Sequence, residues 1–259
     1  MNHLSREQID GFINNGFLKI ENAFPVELAD ECRALLWEAT KCDPGDPGTW
    51  TEPVIRITEM SAPPFREAAN TPLLYKCFDL LVGAGNWLPR KTLGSFPIRF
   101  PSAQPAPDSG WHVDASYPGE VADNYLEWRI NIYSRGRALL MLFLFSDVDE
   151  QDAPTVVRVR SHIDVAKLLA PAGEKGLSFT ELAAQIDQLP QHNMVLATGK
   201  AGTVYLCHPF IVHAAQDHRG STPKFMAQPP LLSRTDFNIS HSATDHCPVE
   251  KAIMNALQR

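Results

Sequence analysis

The feature that most constrains the fold is a change in the spacing of apolar residues near residue 90. From residue 92 onward, apolar residues occur in short continuous or alternating runs that are separated by proline, glycine and aspartate. Runs of this kind are typical of the strands of an antiparallel β sandwich or barrel. The predicted strands cover residues 92–100, 110–117, 128–133, 138–146, 154–160, 194–198, 202–207, 210–215 and 224–232.

The residues before this change have helical periodicity. Ser5 and Gln8 predict a capping box at the start of a first helix, Pro25 begins a second, and a third covers Leu73–Val82. A helical insertion near 163–189 interrupts the later strands, with a break at the Pro-Ala-Gly sequence of residues 171–173. We therefore predict one mainly β domain with flanking helices, made up of a mostly helical part (1–90), a β-barrel core (91–235) and a C-terminal tail (236–259).

Charge and cysteine content exclude several classes of protein. The 259-residue chain has a net charge of −7 and no basic run, which argues against a nucleic-acid groove. The five cysteines show no C-x-x-C spacing, so neither a disulfide framework nor a zinc knuckle is expected. The N-terminus does not resemble a signal peptide, and the longest apolar run, Ala138–Phe145, is too short to cross a bilayer. We expect a soluble, cytoplasmic protein without a nucleic-acid or membrane partner; its oligomeric state is left open.

Two H-x-D pairs stand out as possible metal-binding sites. His162 and Asp164 follow Ser161 at the start of the helical insertion, where Ser161 is predicted to cap the helix and Asp164 to complement its dipole. Helix capping accounts for that pair without a metal. His112 and Asp114 lie on a predicted strand, where residues two apart point to the same face and can bind the same metal ion. The alternative for this second pair is an ordinary His and Asp on an edge strand.

A metal site needs a third ligand, and the segment 202–215 offers two histidines. His208 lies beside the turn at Pro209 and is expected to be a packed or capping residue. His213 is followed by two alanines, which leave space at its face. On the next strand, Lys224 shares one side with Met226 and Gln228. If that side faces the core, the ammonium group needs an anionic partner, which a dicarboxylate cosubstrate would supply; otherwise Lys224 is a surface residue of an edge strand.

In the order of these motifs, the chain resembles the phytanoyl-CoA dioxygenase-like family of iron(II)/2-oxoglutarate oxygenases. The resemblance covers nearly the whole length, from L-S-x-x-Q-I-x-x-F-x-x-x-G-F through G-W-H-V-D to H-P-F-I-V-H-A-A and T-P-K-F-M-A-Q. It implies a double-stranded β-helix (a jelly-roll, cupin-like barrel) preceded by N-terminal helices. It also implies that His112, Asp114 and His213 bind Fe(II), with 2-oxoglutarate and O2 as cosubstrates.

The sequence departs from this family at two positions. The family has a basic residue, usually arginine, eleven positions after the last histidine to hold the distal carboxylate of 2-oxoglutarate, and this chain has Lys224 there. Lysine keeps the charge but offers a point charge in place of a planar fork. The family commonly has glycine directly before the Ser-His pair at 161–162, where this chain has Arg160. Neither departure affects the three expected ligands.

The expected reaction is oxidation of a small organic molecule, in the simplest case hydroxylation, with release of succinate and CO2. Arg99 is a second candidate for binding an anion, with a surface ion pair as its alternative. Trp111, Tyr117 and Phe100 could line a substrate cavity, although aromatic residues on a barrel strand are more often core. Two other functions remain open: a non-catalytic small-molecule-binding protein on the same barrel, and a cupin-type metalloenzyme that does not use 2-oxoglutarate.

Overall fold

The computed structural model describes residues 4–240 and 245–258, which form helices packed against antiparallel sheets. The helices are α1 (Arg6–Asn15), α2 (Val26–Thr40), α3 (Pro63–Ala69), α4 (Pro72–Val82), α5 (Ser161–Leu169), α6 (Phe179–Ile186) and α7 (Pro248–Leu257). The strands are β1 (Phe17–Ile20), β2 (Val54–Met60), β3 (Trp87–Leu88), β4 (Leu93–Arg99), β5 (Arg129–Ile130), β6 (Leu139–Leu144), β7 (Val156–Arg158), β8 (Leu177–Ser178), β9 (Met194–Leu196), β10 (Val204–Cys207), β11 (His213–Ala214), β12 (Met226–Ala227) and β13 (Pro230–Ser233). None of these helices is long and apolar enough to cross a membrane.

The largest sheet has the strand order β1-β10-β6-β13-β3, and β12 also pairs with β6. A smaller sheet has the order β11-β7-β9, while β2 pairs with β4 and β5 with β8. All of these pairings are antiparallel, as the sequence predicts. The pairings among the described residues do not close into a barrel, so the structure is a mixture of helices and antiparallel sheets in place of the expected mainly β barrel.

Strand β6 explains how the layers are held together. Its residues are all buried, because one side faces the smaller sheet and the other faces the helices. Leu140, Leu142 and Leu144 pack in a cluster with Val157 and Ala197 of the smaller sheet. Leu139, Met141 and Phe143 belong to the main core, which includes residues of α1 to α5 and α7. A strand buried on both faces needs an unbroken apolar run, which is what the sequence has here.

Several predicted boundaries need correction. The run 110–117 is not a continuous strand, since only His112 and Tyr117 form isolated bridges. The break predicted within the insertion is confirmed, but a short strand, β8, also lies between its two helices, α5 and α6. The segment 236–259 includes α7, which packs against α1, α4 and α5, because its apolar residues recur at helical spacing. Strand β2 and helix α3 were not predicted.

The helix starts were predicted with mixed success. The Ser5 hydroxyl accepts a hydrogen bond from the Gln8 amide, and the Gln8 side chain accepts from the Ser5 amide, which confirms the capping box. Ser161 does not cap α5, so that prediction is wrong. Its hydroxyl donates to the Arg158 carbonyl and accepts from the Val212 amide, so it ties β7 to the segment before β11.

A pair of buried imidazoles joins α1, α5 and α7. The rings of His162 and His208 lie 4.9 Å apart, His162 Nε2 lies 3.1 Å from the Ile13 carbonyl, and His208 Nε2 lies 3.4 Å from the Val249 carbonyl. Burial lowers the pKa of His162 to about 4, and it lowers the pKa of His208 well below its ordinary value. Both rings are therefore neutral in the folded protein at neutral pH.

This burial predicts acid sensitivity. We expect the free energy of unfolding to decrease as the pH falls from 6.5 to about 4, because His162 takes up a proton on unfolding in that range. Protonation of His162 in the unfolded chain lowers the free energy of unfolding by up to roughly 3 kcal/mol. The effect is absent at a pH above the pKa of this histidine in the unfolded chain. Urea unfolding at several pH values should show a weaker pH dependence for His162→Gln than for the wild-type protein. The same dependence in both proteins would contradict the assignment.

Candidate metal centre

His112, Asp114 and His213 converge on one point. The backbone amides and carbonyls of His112 and His213 form two reciprocal hydrogen bonds of 3.0 Å, which place the imidazoles side by side with ring centroids 4.4 Å apart. Asp114 Oδ1 lies 3.6 Å from His112 Nε2 and 3.9 Å from His213 Nε2. One ligand atom from each residue lies within 4.8 Å of the others, an arrangement that could hold a metal ion.

Each imidazole is oriented by a backbone carbonyl. His112 Nδ1 lies 2.9 Å from the Gly110 carbonyl, and His213 Nδ1 lies 3.2 Å from the Ile211 carbonyl. Because a carbonyl oxygen only accepts, Nδ1 carries the hydrogen in both rings and Nε2 keeps its lone pair. This is the tautomer that a histidine needs to bind a metal through Nε2. Burial lowers the pKa of His213 to about 4, so its ring is neutral at neutral pH.

Arg137, which precedes β6, holds the carboxylate. Its Nη1 donates to Asp114 Oδ2 at 3.1 Å and its Nη2 donates to the Ala115 carbonyl at 3.0 Å. Burial alone would raise the pKa of the Asp114 carboxyl, but Arg137 and the two imidazoles hold this pKa below its ordinary value. Oδ2 is therefore engaged by a cation, while Oδ1 is left facing the two imidazoles.

The three residues lie in a cavity of about 1070 Å³. Aromatic side chains form part of its lining: Phe179 lies 5.7 Å from the His112 ring and 5.5 Å from Tyr125, measured between ring centroids. The lining also contains charged residues, namely Arg56, Glu59, Arg90, Arg99, Asp108, Asp114 and Arg137. The site thus combines apolar surface with a small number of charged groups, as small-molecule sites generally do.

Arg99 and Lys224 face each other across adjacent strands, with hydrogen bonds between their backbones. Arg99 is 3% exposed, lines the cavity, and donates from Nη2 to both oxygens of Asp108 at 2.9 Å. Its Nη1 is buried and has no hydrogen-bond partner among the described residues. Lys224 is 1% exposed and its Nζ donates to the Ala153 carbonyl. Burial, together with the charge of Arg99, lowers the pKa of Lys224 well below its ordinary value.

The other residues singled out in the sequence differ in whether they line the cavity. Trp111 lines the cavity, and the Arg158 guanidinium lies 4.6 Å from its ring centroid. Tyr117 and Phe100 do not line it: the Tyr117 hydroxyl donates to the Lys175 carbonyl at 2.8 Å, and Phe100 is fully buried in the core. Arg160 also lies outside the lining.

The second H-x-D pair does not form such a cluster. Asp164 Oδ2 lies 2.6 Å from His192 Nε2, while His162 packs on His208. Within residues 4–240 and 245–258, His112, Asp114 and His213 are the only group of three histidine, cysteine or acidic residues placed to share one metal ion.

Sequence reasoning missed Arg137 and Arg90, both of which line the cavity. Arg137 lies directly before an apolar strand, in the sequence Arg-Gly-Arg-Ala. The only sign of its role is that a charged residue stands at the start of a segment that is fully buried. That signal does not reveal which acid the arginine contacts.

Comparisons with known proteins bear on the fold. No protein-family model matches the sequence, and no curated protein sequence matches it. HygX from Streptomyces hygroscopicus, solved with nickel, 2-oxoglutarate and hygromycin B bound, is 17% identical over 94% of this chain and 96% of that chain, with a TM-score of 0.56. SnoN, a non-haem α-ketoglutarate-dependent epimerase from nogalamycin biosynthesis, is 14% identical over 85% of this chain and 78% of that chain, with a TM-score of 0.52. EctD from S. alaskensis, in its apo form, is 17% identical over 95% of this chain and 89% of that chain, with a TM-score of 0.53. At these identities the comparisons establish a shared fold.

Proposed function

We propose that this protein is a non-haem iron(II)/2-oxoglutarate-dependent oxygenase that oxidises a small organic molecule and releases succinate and CO2. The observation that carries the proposal is the convergence of His112, Asp114 and His213 at the wall of a large cavity. HygX and SnoN, which have a similar fold, are described with 2-oxoglutarate bound or as dependent on it. Within this class, the sequence motifs favour the phytanoyl-CoA dioxygenase-like group and its jelly-roll barrel.

The donor set suits iron(II). Two imidazole nitrogens and one carboxylate oxygen on one face leave coordination positions open, as in non-haem iron(II) oxygenases. Hydrogen bonds from Nδ1 to backbone carbonyls fix the imidazoles, and Arg137 engages Asp114 Oδ2, so that Oδ1 alone faces the metal position. When bound, iron together with 2-oxoglutarate and O2 supplies the oxidising chemistry. Because Asp114 fills the third ligand position, no place is left for a halide, and hydroxylation is favoured over halogenation.

The protein's other task is to hold 2-oxoglutarate and exclude water. We assign its distal carboxylate to Lys224, with Arg99 beside it as a second donor. Each of these residues is buried, and two adjacent buried cations are costly without an anion to offset their charge. Asp108 offsets part of the charge of Arg99, yet Arg99 Nη1 still has no partner among the described residues. A dicarboxylate entering from the cavity would provide one.

One observation favours a second function. The Lys224 ammonium already donates to the Ala153 carbonyl, and Lys224 is not among the residues that line the cavity. If Lys224 stays bound to the Ala153 carbonyl and Arg99 does not bind 2-oxoglutarate either, the protein is a metalloenzyme on the same fold that does not use 2-oxoglutarate. Iron-dependent conversion of 2-oxoglutarate to succinate separates the two functions.

We expect the purified protein to convert 2-oxoglutarate to succinate under air only when iron(II) is present. Many oxygenases of this class decarboxylate the cosubstrate slowly without their substrate, so the assay does not depend on knowing the substrate. Succinate is measured by mass spectrometry with and without iron. The Asp114→Asn variant should lose the activity, while the matched Asp164→Asn variant, altered in the other H-x-D pair, should keep it. Absence of iron-dependent succinate in the wild-type protein would reject the proposed function.

A further inference from the structure

The cavity differs in charge from the protein as a whole. Its lining contains four arginines, Arg56, Arg90, Arg99 and Arg137, against three carboxylates, Glu59, Asp108 and Asp114. This leaves a surplus of one positive charge, whereas the whole chain has a net charge of −7. A cleft of one sign concentrates ligands of the opposite sign and repels others. The cavity is therefore suited to an anionic ligand.

The arginines fall into two groups at opposite ends of β4. Arg99 is the last residue of that strand, whereas Arg90 precedes it and donates from Nε to the Thr92 carbonyl at 3.1 Å. At about 3.3 Å per residue, the two ends of β4 are on the order of 20 Å apart. One 2-oxoglutarate molecule bound at Arg99 and Lys224 therefore leaves Arg90 unused.

Arg90 and Arg137 are near each other and incompletely paired. The Arg90 guanidinium donates from Nε to the neutral Thr92 carbonyl, and Glu59 is the carboxylate whose charge acts on it. Arg137 is 6% exposed, and its Nε is buried without a partner in the part of the chain that the structure describes. Both side chains line the same cavity, Arg90 just after β3 and Arg137 just before β6, and each of these strands pairs with β13. Burial lowers the pKa of Arg90, Glu59 raises it and Arg137 lowers it, so the two guanidinium groups repel each other. An anion bound between them would relieve that repulsion.

Close to this pair, the cavity has an apolar surface. Phe179 packs against His112, and Tyr125 packs against Phe179, while the Tyr125 hydroxyl accepts from the Ala115 amide at 3.2 Å. Tyr125 and Leu126 are 43% and 50% exposed and both line the cavity, so each leaves apolar surface uncovered there. An apolar ligand would cover them.

We infer that the substrate is an organic acid with one negative charge and an apolar body, whose carboxylate binds Arg90 and Arg137 while its body lies against Tyr125, Leu126 and Phe179. This inference rests on the proposed function in one respect: a divalent metal and the 2-oxoglutarate dianion cancel each other's charge, so the positive surplus of the lining, to which a charged Lys224 adds, is left for the substrate. A neutral substrate would leave that charge uncompensated. Arginine forms charge-assisted, bidentate hydrogen bonds with a carboxylate, which would fix the orientation of the body towards the metal position.

Two fluorescent probes test the inference without knowledge of the natural substrate. 1-Anilinonaphthalene-8-sulfonate is an apolar monoanion, and N-phenyl-1-naphthylamine is the same ring system without the charge. Both are titrated into the protein loaded with 2-oxoglutarate and Zn²⁺, which replaces iron so that no turnover occurs. We expect the sulfonate to bind at least about tenfold more tightly than the neutral probe, the effect of one charge-assisted hydrogen bond. Arg90→Gln should remove this preference and leave the affinity for the neutral probe unchanged.

The matched control is Arg66→Gln, the same substitution at an exposed arginine of α3 that lies outside the cavity, and it should preserve the preference. Arg90→Lys should retain most of it, and thermal unfolding shows whether each variant is folded. Equal affinity of the wild-type protein for the two probes, no saturable binding of either, or an unchanged preference in folded Arg90→Gln would each overturn the inference. Uptake of metal and 2-oxoglutarate is measured first by calorimetry. If the protein takes up neither, the proposed function is rejected. The probe comparison is then made on the unloaded protein, in which Arg90 and Arg137 still determine the preference for the charged probe.

Discussion

His213→Ala is expected to abolish the binding of iron(II). The imidazole of His213 is buried, its Nε2 is free of other hydrogen bonds in the described structure, and its backbone is tied to that of His112, so no nearby side chain can replace it. Loss of a group that merely orients a metal ligand costs 10- to 100-fold in affinity, and loss of the ligand itself should exceed about 100-fold. Anaerobic calorimetric titration with iron(II), or with Mn²⁺ as an air-stable substitute, measures the change.

The control for this variant is His208→Ala, which removes another fully buried histidine from the same segment of the chain. His208 packs against Phe12, Phe210 and His162, so its loss creates a cavity and lowers the stability. It should leave metal affinity unchanged at a temperature where the variant is folded. Metal binding that survives His213→Ala, or that is lost in folded His208→Ala, would contradict the assignment of the site.

The sequence was informative where a local pattern determines structure. The capping box at Ser5 and the helical spacing of Leu73–Val82 depend on neighbours a few residues away, and both were predicted correctly within a residue. The choice between the two H-x-D pairs was also made from local context, since one pair stands at a helix start. The structure brings only His112 and Asp114 together with His213, although residues 110–117 do not form the strand from which the prediction was argued.

The electrostatic environment of the site could not be predicted in this way. The contact of Arg137 with Asp114 joins residues 23 positions apart, and the contact of Lys224 with Ala153 joins residues 71 apart. No periodicity or spacing encodes such pairs, because they depend on how the layers pack. The unexpected arginine at position 160 concerns the backbone instead. Arg160 adopts the left-handed conformation, with φ of 67°, which glycine enters without strain. This backbone conformation is one in which a glycine would fit position 160 without strain.

The second large effect concerns Lys224, to which we assign the distal carboxylate of 2-oxoglutarate. Lys224→Ala is expected to raise the dissociation constant for 2-oxoglutarate at least about tenfold, because removing one member of a buried charge pair costs about 2–5 kcal/mol. Lys224→Arg should retain binding, since arginine keeps the positive charge and offers a planar fork to a carboxylate. Lys200→Ala is the matched control: this side chain is 82% exposed and pairs with Asp147 at the surface, so affinity should not change. Each form is titrated with 2-oxoglutarate by anaerobic calorimetry with iron(II) present.

The result also decides between the two adjacent cations. Lys224 must leave the Ala153 carbonyl to reach a ligand in the cavity, whereas Arg99 already lines it with Nη1 unpaired among the described residues. If wild type and Lys224→Ala bind 2-oxoglutarate equally well, Lys224 is a structural residue that secures Ala153. The Arg99→Gln variant is then decisive. If only this variant loses affinity for 2-oxoglutarate, Arg99 holds the distal carboxylate. If neither substitution affects the titration, the cosubstrate is not held by this pair, and the metalloenzyme without 2-oxoglutarate becomes the better account of the site.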